Sequence, residues 1–165
     1  MSKRTRQYLG LLCAVLVYYV IHEGAHLVYA LCIGVFKEMK SMGLGIQIDV
    51  YAEQMSKEQL GIFCVTGSIA TMIAAYLLTV LAGKIGRHTS KVFKACMYYI
   101  TIAMLLLDPL YLSVLCGFFG GGDMNGISLL VPEWVARIGY GGLLVIHAVL
   151  FFKIVLPKYR VAFKE

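Results

Sequence analysis

The sequence predicts an all-α membrane protein of about four transmembrane helices. A short β-strand or hairpin follows the first helix, and a glycine-rich turn follows the third. Composition is the first observation behind this: 60% of residues are hydrophobic and 15% charged, whereas a soluble domain is about a quarter charged. Mean hydropathy is +0.80. The second observation is that the apolar residues gather in four stretches, roughly residues 8–36, 60–82, 92–119 and 134–156. Each is long enough for the crossing of about 20 residues that a bilayer requires. The third is where the charges fall. Residues 1–165 are read as one integral-membrane domain without repeats, low-complexity tracts or soluble appendages.

Lys3, Arg4 and Arg6 precede the first stretch. Lys84, Arg87, Lys91 and Lys94 join the second to the third, and Lys153, Lys158, Arg160 and Lys164 flank the end of the fourth. The other connections mix Lys37, Lys40, Lys57 and Arg137 with Glu38, Asp49, Glu53, Glu58, Asp123 and Glu133. The positive-inside rule therefore puts both termini in the cytoplasm. The net charge of +6 is a topology signal, and nucleic acid is excluded as a partner. Cys13, Cys32, Cys64, Cys96 and Cys116 are odd in number and contain no C-x-x-C pair. They read as small buried hydrophobes, neither a disulfide framework nor a thiolate site.

The first stretch resembles a signal sequence, but it is too long and lacks a small-residue cleavage site. It reads as a retained anchor helix. Inside it stands His22-Glu23-Gly24-Ala25-His26. Residues four apart share a helix face, so His22 and His26 can grip one metal ion, and Glu23 can reach a water bound to it. H-E-x-x-H is the zinc-protease arrangement. Ionisable groups inside a bilayer are costly and by default mark a functional site.

Beyond the first span, Leu44, Ile46, Ile48 and Val50 alternate with Gly45, Gln47, Asp49 and Tyr51. Period-two alternation predicts a half-buried strand, with residues 37–43 before it making a hairpin plausible. Its edge could pair with an unwound substrate segment. Ser56-Lys57-Glu58-Gln59 predicts a capping box at the start of the second span. Gly61, Gly67, Ser68, Ala70, Thr71, Ala74 and Ala75 follow, small residues that let membrane helices approach closely. The third span carries Asp108-Pro109 and ends in the glycine-rich run from Gly117 to Gly126, where helical structure should fail across Gly120-Gly121-Gly122. Pro132-Glu133-Trp134 opens the last span, with Trp134 suited to the interface.

A catalytic zinc site has three protein ligands and one open position. No third histidine follows at metzincin spacing, which leaves Asp108, Asp123, His147, Glu38 and Glu53. His88 belongs to the basic connection. His22 lies about 14 residues into its span, roughly 21 Å along a helix, toward the outer half of the bilayer. Depth favours Asp108, whereas loop chemistry favours Asp123.

The chain resembles the site-2 protease family of intramembrane zinc metalloproteases. His22-Glu23-Gly24-Ala25-His26 matches that family's first motif, and Gly67-Ser68-Ile69-Ala70-Thr71 is an imperfect counterpart of its Gly-Pro-x-x-Asn motif. Gly122-Asp123-Met124-Asn125-Gly126 resembles its aspartate motif and moves the third-ligand assignment to Asp123. Ser68 and Thr71 depart from that pattern, and so does the interrupted Asp-Gly pair. The resemblance implies Zn2+ held by His22, His26 and Asp123, with Glu23 as catalytic general base. It implies an endopeptidase in a bacterial or archaeal cell membrane, cleaving a membrane-anchored peptide or single-span protein. Asp108, Asn125 and His147 are then alternative ligands or substrate contacts, with Thr71 a weaker contact. A noncatalytic zinc-binding membrane protein, either a transporter component or a pseudoprotease scaffold, is the competing class. A di-iron oxygenase would need more histidine boxes than His88 and His147 can supply.

Overall fold

The computed structural model describes residues 1–42, 45–118 and 122–164. The order is α1 (Lys3–Cys32), β1 (Phe36–Met42), β2 (Gly45–Val50), α2 (Lys57–Gly86), α3 (Lys91–Ser113), α4 (Gly122–Ile127), α5 (Glu133–Leu150) and α6 (Leu156–Lys164). A π-helical turn, Phe151–Val155, makes α5 and α6 continuous. Among the described residues, four helices are long and apolar enough to cross a membrane, the last being the fused Glu133–Lys164. Much of the apolar surface points outward, Val20 being 73% and Val80 77% exposed. That surface suits lipid and would be costly against water.

Local chemistry sets the helix ends. Ser56 accepts the Gln59 N–H at 3.1 Å and Gln59 Oε1 accepts the Ser56 N–H at 2.9 Å, so the capping box forms. Ser2 and Ser90 cap α1 and α3 in the simpler way. The first helix stops at Cys32, short of the expected residue 36. Gly34 adopts φ +75°, Val35 N–H reaches Ala30 O at 2.9 Å and Gly34 N–H reaches Leu31 O at 3.2 Å. This is a Schellman stop, which the left-handed glycine makes possible. The third helix likewise ends at Ser113, short of residue 119, and passes into a 3-10 turn at Leu115–Gly117.

The strand expected over residues 44–51 forms at Gly45–Val50 and pairs antiparallel with Phe36–Met42, Met39 opposite Ile48. Ile48 is buried and Val50 half-buried, but Ile46 is 53% exposed. Two strands leaning on one helix end cover only part of a face. Leu44, part of the expected alternation, lies outside the described residues, as do Gly120 and Gly121 of the glycine run. Gly122, the last of that run, opens α4 with φ +40°.

The central helix is α3, which packs against α1, α2 and α5. The bundle has two apolar cores. One gathers Ala14, Ala75, Met104, Leu105, Phe151 and Val155. The other gathers Ala30, Ile48, Phe63, Leu112, Met124 and Ala136. Along every long helix a polar layer falls between them: His22 and His26 on α1, Ser68 and Thr71 on α2, Asp108 on α3 and His147 on α5. These six buried polar side chains are thereby gathered between the two cores, while Thr79, Lys94 and Thr101 are buried elsewhere.

Pro109 shows how such a layer is satisfied. It has no N–H, so the carbonyl four residues earlier, on Leu105, loses its helical donor. His147 donates Nδ1–H to that oxygen at 2.6 Å, and its Nε2 accepts from Tyr76 at 2.8 Å. An unmet carbonyl at this depth would cost several kcal/mol. His147, completely buried, is thus a clasp joining α5 to α3 and α2.

Candidate metal centre

Tyr18, His22 and His26 follow one another at helical spacing on the inward stripe of α1. The rings of Tyr18 and His22 stack with centroids 5.3 Å apart, and those of His22 and His26 meet edge-on at 4.9 Å. Asp123 arrives from α4, one hundred and one residues beyond His22. Its Oδ2 lies 3.1 Å from His22 Nε2 and 3.6 Å from His26 Nε2. The two Nε2 atoms are 3.3 Å apart. Three potential ligand atoms therefore form a small triangle, and among the described residues this is the group that could hold a metal ion.

The triangle has the right size. A tetrahedral ion with bonds of about 2.05 Å places its ligand atoms about 3.3 Å apart. The three observed edges bracket that value. A Cβ built on Gly67 would lie 2.6 Å from His26 Nε2 and 2.7 Å from His22 Nε2. Helix α2 thus presents bare backbone to the donor atoms, and only glycine leaves them their space. Two imidazoles and a carboxylate are three protein ligands, the number found in catalytic rather than four-ligand structural zinc sites.

Each histidine is oriented from behind. His26 Nδ1 lies 2.8 Å from Phe63 O. A carbonyl only accepts, so Nδ1 carries the proton and Nε2 presents a lone pair to the triangle. Thr66 gives its hydroxyl proton to the same carbonyl at 2.7 Å. Behind His22, Nδ1 lies 3.3 Å from Asp108 Oδ1. Asp108 also accepts hydrogen bonds from Tyr18 and Thr71 and is 2% exposed. A carboxylate on the far nitrogen of a metal-binding histidine fixes its tautomer and raises its basicity. The structure thus puts the two candidate aspartates on opposite sides of His22, Asp123 at the donor triangle and Asp108 behind the ring.

Glu23 sits one residue round the helix, half-buried, and its Oε2 accepts the Ile48 N–H of β2 at 3.2 Å. The hairpin is thereby tied to the helix that carries the histidines. Ser68 donates to Val65 O at 3.0 Å, which leaves its oxygen to accept from Tyr140 at 2.7 Å. Asn125 is exposed on α4, and His147 is committed to Leu105 and Tyr76, away from the triangle. Glu38 is exposed on β1 and Glu53 exposed beyond β2.

Sequence reasoning did not single out Tyr18 or the Phe63 carbonyl. Tyr18 carried a usable signal, standing one turn before His22 on the same face. The backbone oxygen carried none. No family model, curated protein or solved structure matches the chain.

Proposed function

We propose that this protein is an intramembrane zinc metalloprotease, as its resemblance to the site-2 protease family implies, acting on a membrane-anchored peptide or single-span protein. The observation that carries this reading is the convergence of His22 Nε2, His26 Nε2 and Asp123 Oδ2 at mid-bundle. A general base, Glu23, stands on the same helix. Zinc suits two imidazoles and one carboxylate, and bound there it would lower the pKa of a water toward about 7 and polarise a peptide carbonyl.

The chain's own residues supply the rest. Glu23 takes the proton of the attacking water and returns it to the departing amine. Asp108 and Phe63 O keep the histidine Nε2 lone pairs aimed inward. Gly67 keeps α2 from filling the space in which substrate must sit. A transmembrane substrate must unwind before its peptide bond is accessible. Because Ile48 gives its N–H to Glu23, β2 runs beside the proposed base and can receive that extended segment as an added strand. The positive-inside rule places both termini in the cytoplasm and the site toward the outer half of the bilayer.

The test is metal content and cleavage of single-span reporter substrates by wild type and Glu23→Gln. Zinc retained by both, with cleavage lost by roughly a hundredfold or more in Glu23→Gln, is expected of a general base. Zinc binding without cleavage by wild type on any reporter would identify the noncatalytic scaffold instead. Equal cleavage by the two proteins would remove Glu23 from the mechanism.

A further inference from the structure

A second site lies at the other end of the bundle. The first turns of α1 and α3 meet α6 around a cavity of about 480 Å3, within the range of about 300–1,000 Å3 typical of small-molecule sites. Lys3 and Arg6 enter it from α1, Lys91 from α3 and Arg160 from α6. No acidic residue is among the described residues lining it. Among the described residues, none of these four cations takes part in an ion pair. Four like charges around one cavity repel each other, and a bound anion would relieve that repulsion beyond what water and salt already screen.

The walls say what kind of anion. Tyr98 and Tyr159 line the same cavity, their rings 5.1 Å apart. Leu156 adds an aliphatic surface. One turn beyond Lys91, buried Lys94 donates to Ala162 O at 2.5 Å and fastens α6 against α3. The cavity is therefore held open by fixed helices, with cations at the rim and aromatic rings on the bundle side. It also lies where the apolar spans end. A soluble anion needs only the cations, whereas a molecule with a charged head and apolar tails uses both.

We propose that this cavity binds the phosphate headgroup of an anionic phospholipid in the leaflet at the basic end of the bundle. Basic pockets between membrane helices are the recurrent chemistry for such headgroups. The site is independent of the metal centre, which occupies the polar layer between the two apolar cores.

The test uses full-length protein in mixed micelles, titrated separately with phosphatidylglycerol and phosphatidylcholine, with retained lipid read by native mass spectrometry. Wild type should prefer phosphatidylglycerol. Lys91→Gln/Arg160→Gln should weaken that binding about thirtyfold, since each basic residue near an anionic surface is worth about 1 kcal/mol. Phosphatidylcholine binding should stay unchanged. Lys40→Gln/Lys57→Gln removes the same charge at the opposite end and should retain the preference. Equal losses in the two variants would reduce the effect to bulk charge and overturn the site. Displacement of phosphatidylglycerol by millimolar inorganic phosphate would make it a soluble-anion site and overturn the lipid assignment. Should the cavity variant fail to fold, the wild-type comparison still decides, because absence of an anionic preference refutes the proposal.

Discussion

Gly67 is the most exacting test of the proposed metal centre, because a single methyl group there meets both histidines. In Gly67→Ala the new Cβ would stand 2.6 Å from His26 Nε2 and 2.7 Å from His22 Cε1 and Nε2. Ordinary contact begins near 3.4 Å, so the rings or α2 must move apart by about 0.7 Å. Overpacking of this kind costs about 1–3 kcal/mol. The rings are pinned from behind by Phe63 O and Asp108, so the shift falls on the donor triangle. Borne by the metal-binding geometry, that cost corresponds to about 5–150-fold in affinity. Zinc affinity, measured by competition with a chromogenic chelator, should fall within that range. Gly24→Ala and Gly83→Ala are the controls, since a Cβ at either meets nothing within 4 Å. Gly24 lies between the two histidines in sequence, so its tolerance would separate helix chemistry from space at the site. A Gly67→Ala protein binding zinc as tightly as wild type would refute this account of the triangle.

The two aspartates should separate cleanly. Asp123→Asn removes the proposed third ligand and should abolish tight zinc binding, whereas Asp108→Asn should retain the metal with affinity about 10–100-fold lower; equilibrium dialysis distinguishes them, and the reverse ranking would exchange their roles. His147→Leu strands the Leu105 carbonyl and the Tyr76 hydroxyl, so the unfolding midpoint should fall by the equivalent of about 2–4 kcal/mol, with metal stoichiometry unchanged in the folded fraction. In the exposed hairpin, the hydrogen bond from Lys37 holds the Asp49 carboxyl below its usual value and raises the Lys37 ammonium above its own. Asp49's share of stability is therefore complete above about pH 3.9 and is lost as pH falls through the lower folded-state value. NMR titration of Lys37→Gln should show Asp49 returning toward about 3.9, and an unmoved Asp49 would place the cause elsewhere.

The helices were legible because the bilayer imposes a length and a composition, and both can be read without knowing any contact. Their ends were less legible. Residues 33–36 and 114–119 are apolar enough to continue a span, and hydropathy is blind to the dihedral angle that stopped α1. Gly34 was the available signal, since a glycine followed by the buried Val35 is what a Schellman stop requires. The hairpin was visible in the alternation of residues 45–50, but its burial was not. How far a two-stranded sheet is covered depends on what lies above it, and here that is one helix end carrying Glu23.

The third ligand shows where reading from sequence stops. Depth favoured Asp108 and loop chemistry favoured Asp123, and both carboxyl groups lie within 3.3 Å of a His22 ring nitrogen. Depth is one coordinate, and the two residues differ in another: which ring nitrogen each one faces. A helix fixes where His22 stands along the bundle and which way its Cβ points. The ring's rotation about its own bonds is set by what holds Nδ1. Tyr18, one turn earlier, and Thr71, on the adjoining helix, both donate to Asp108 and fix it on the Nδ1 side. Nε2 is then free to face α4. Removing those anchors should therefore loosen the ring rather than remove a ligand. Tyr18→Phe/Thr71→Val should bind zinc with the same stoichiometry, a lower affinity and a faster exchange of His22 ring orientations by NMR relaxation. Zinc stoichiometry falling below one in the folded double variant would instead make Asp108 itself a ligand held in place by those two hydroxyls.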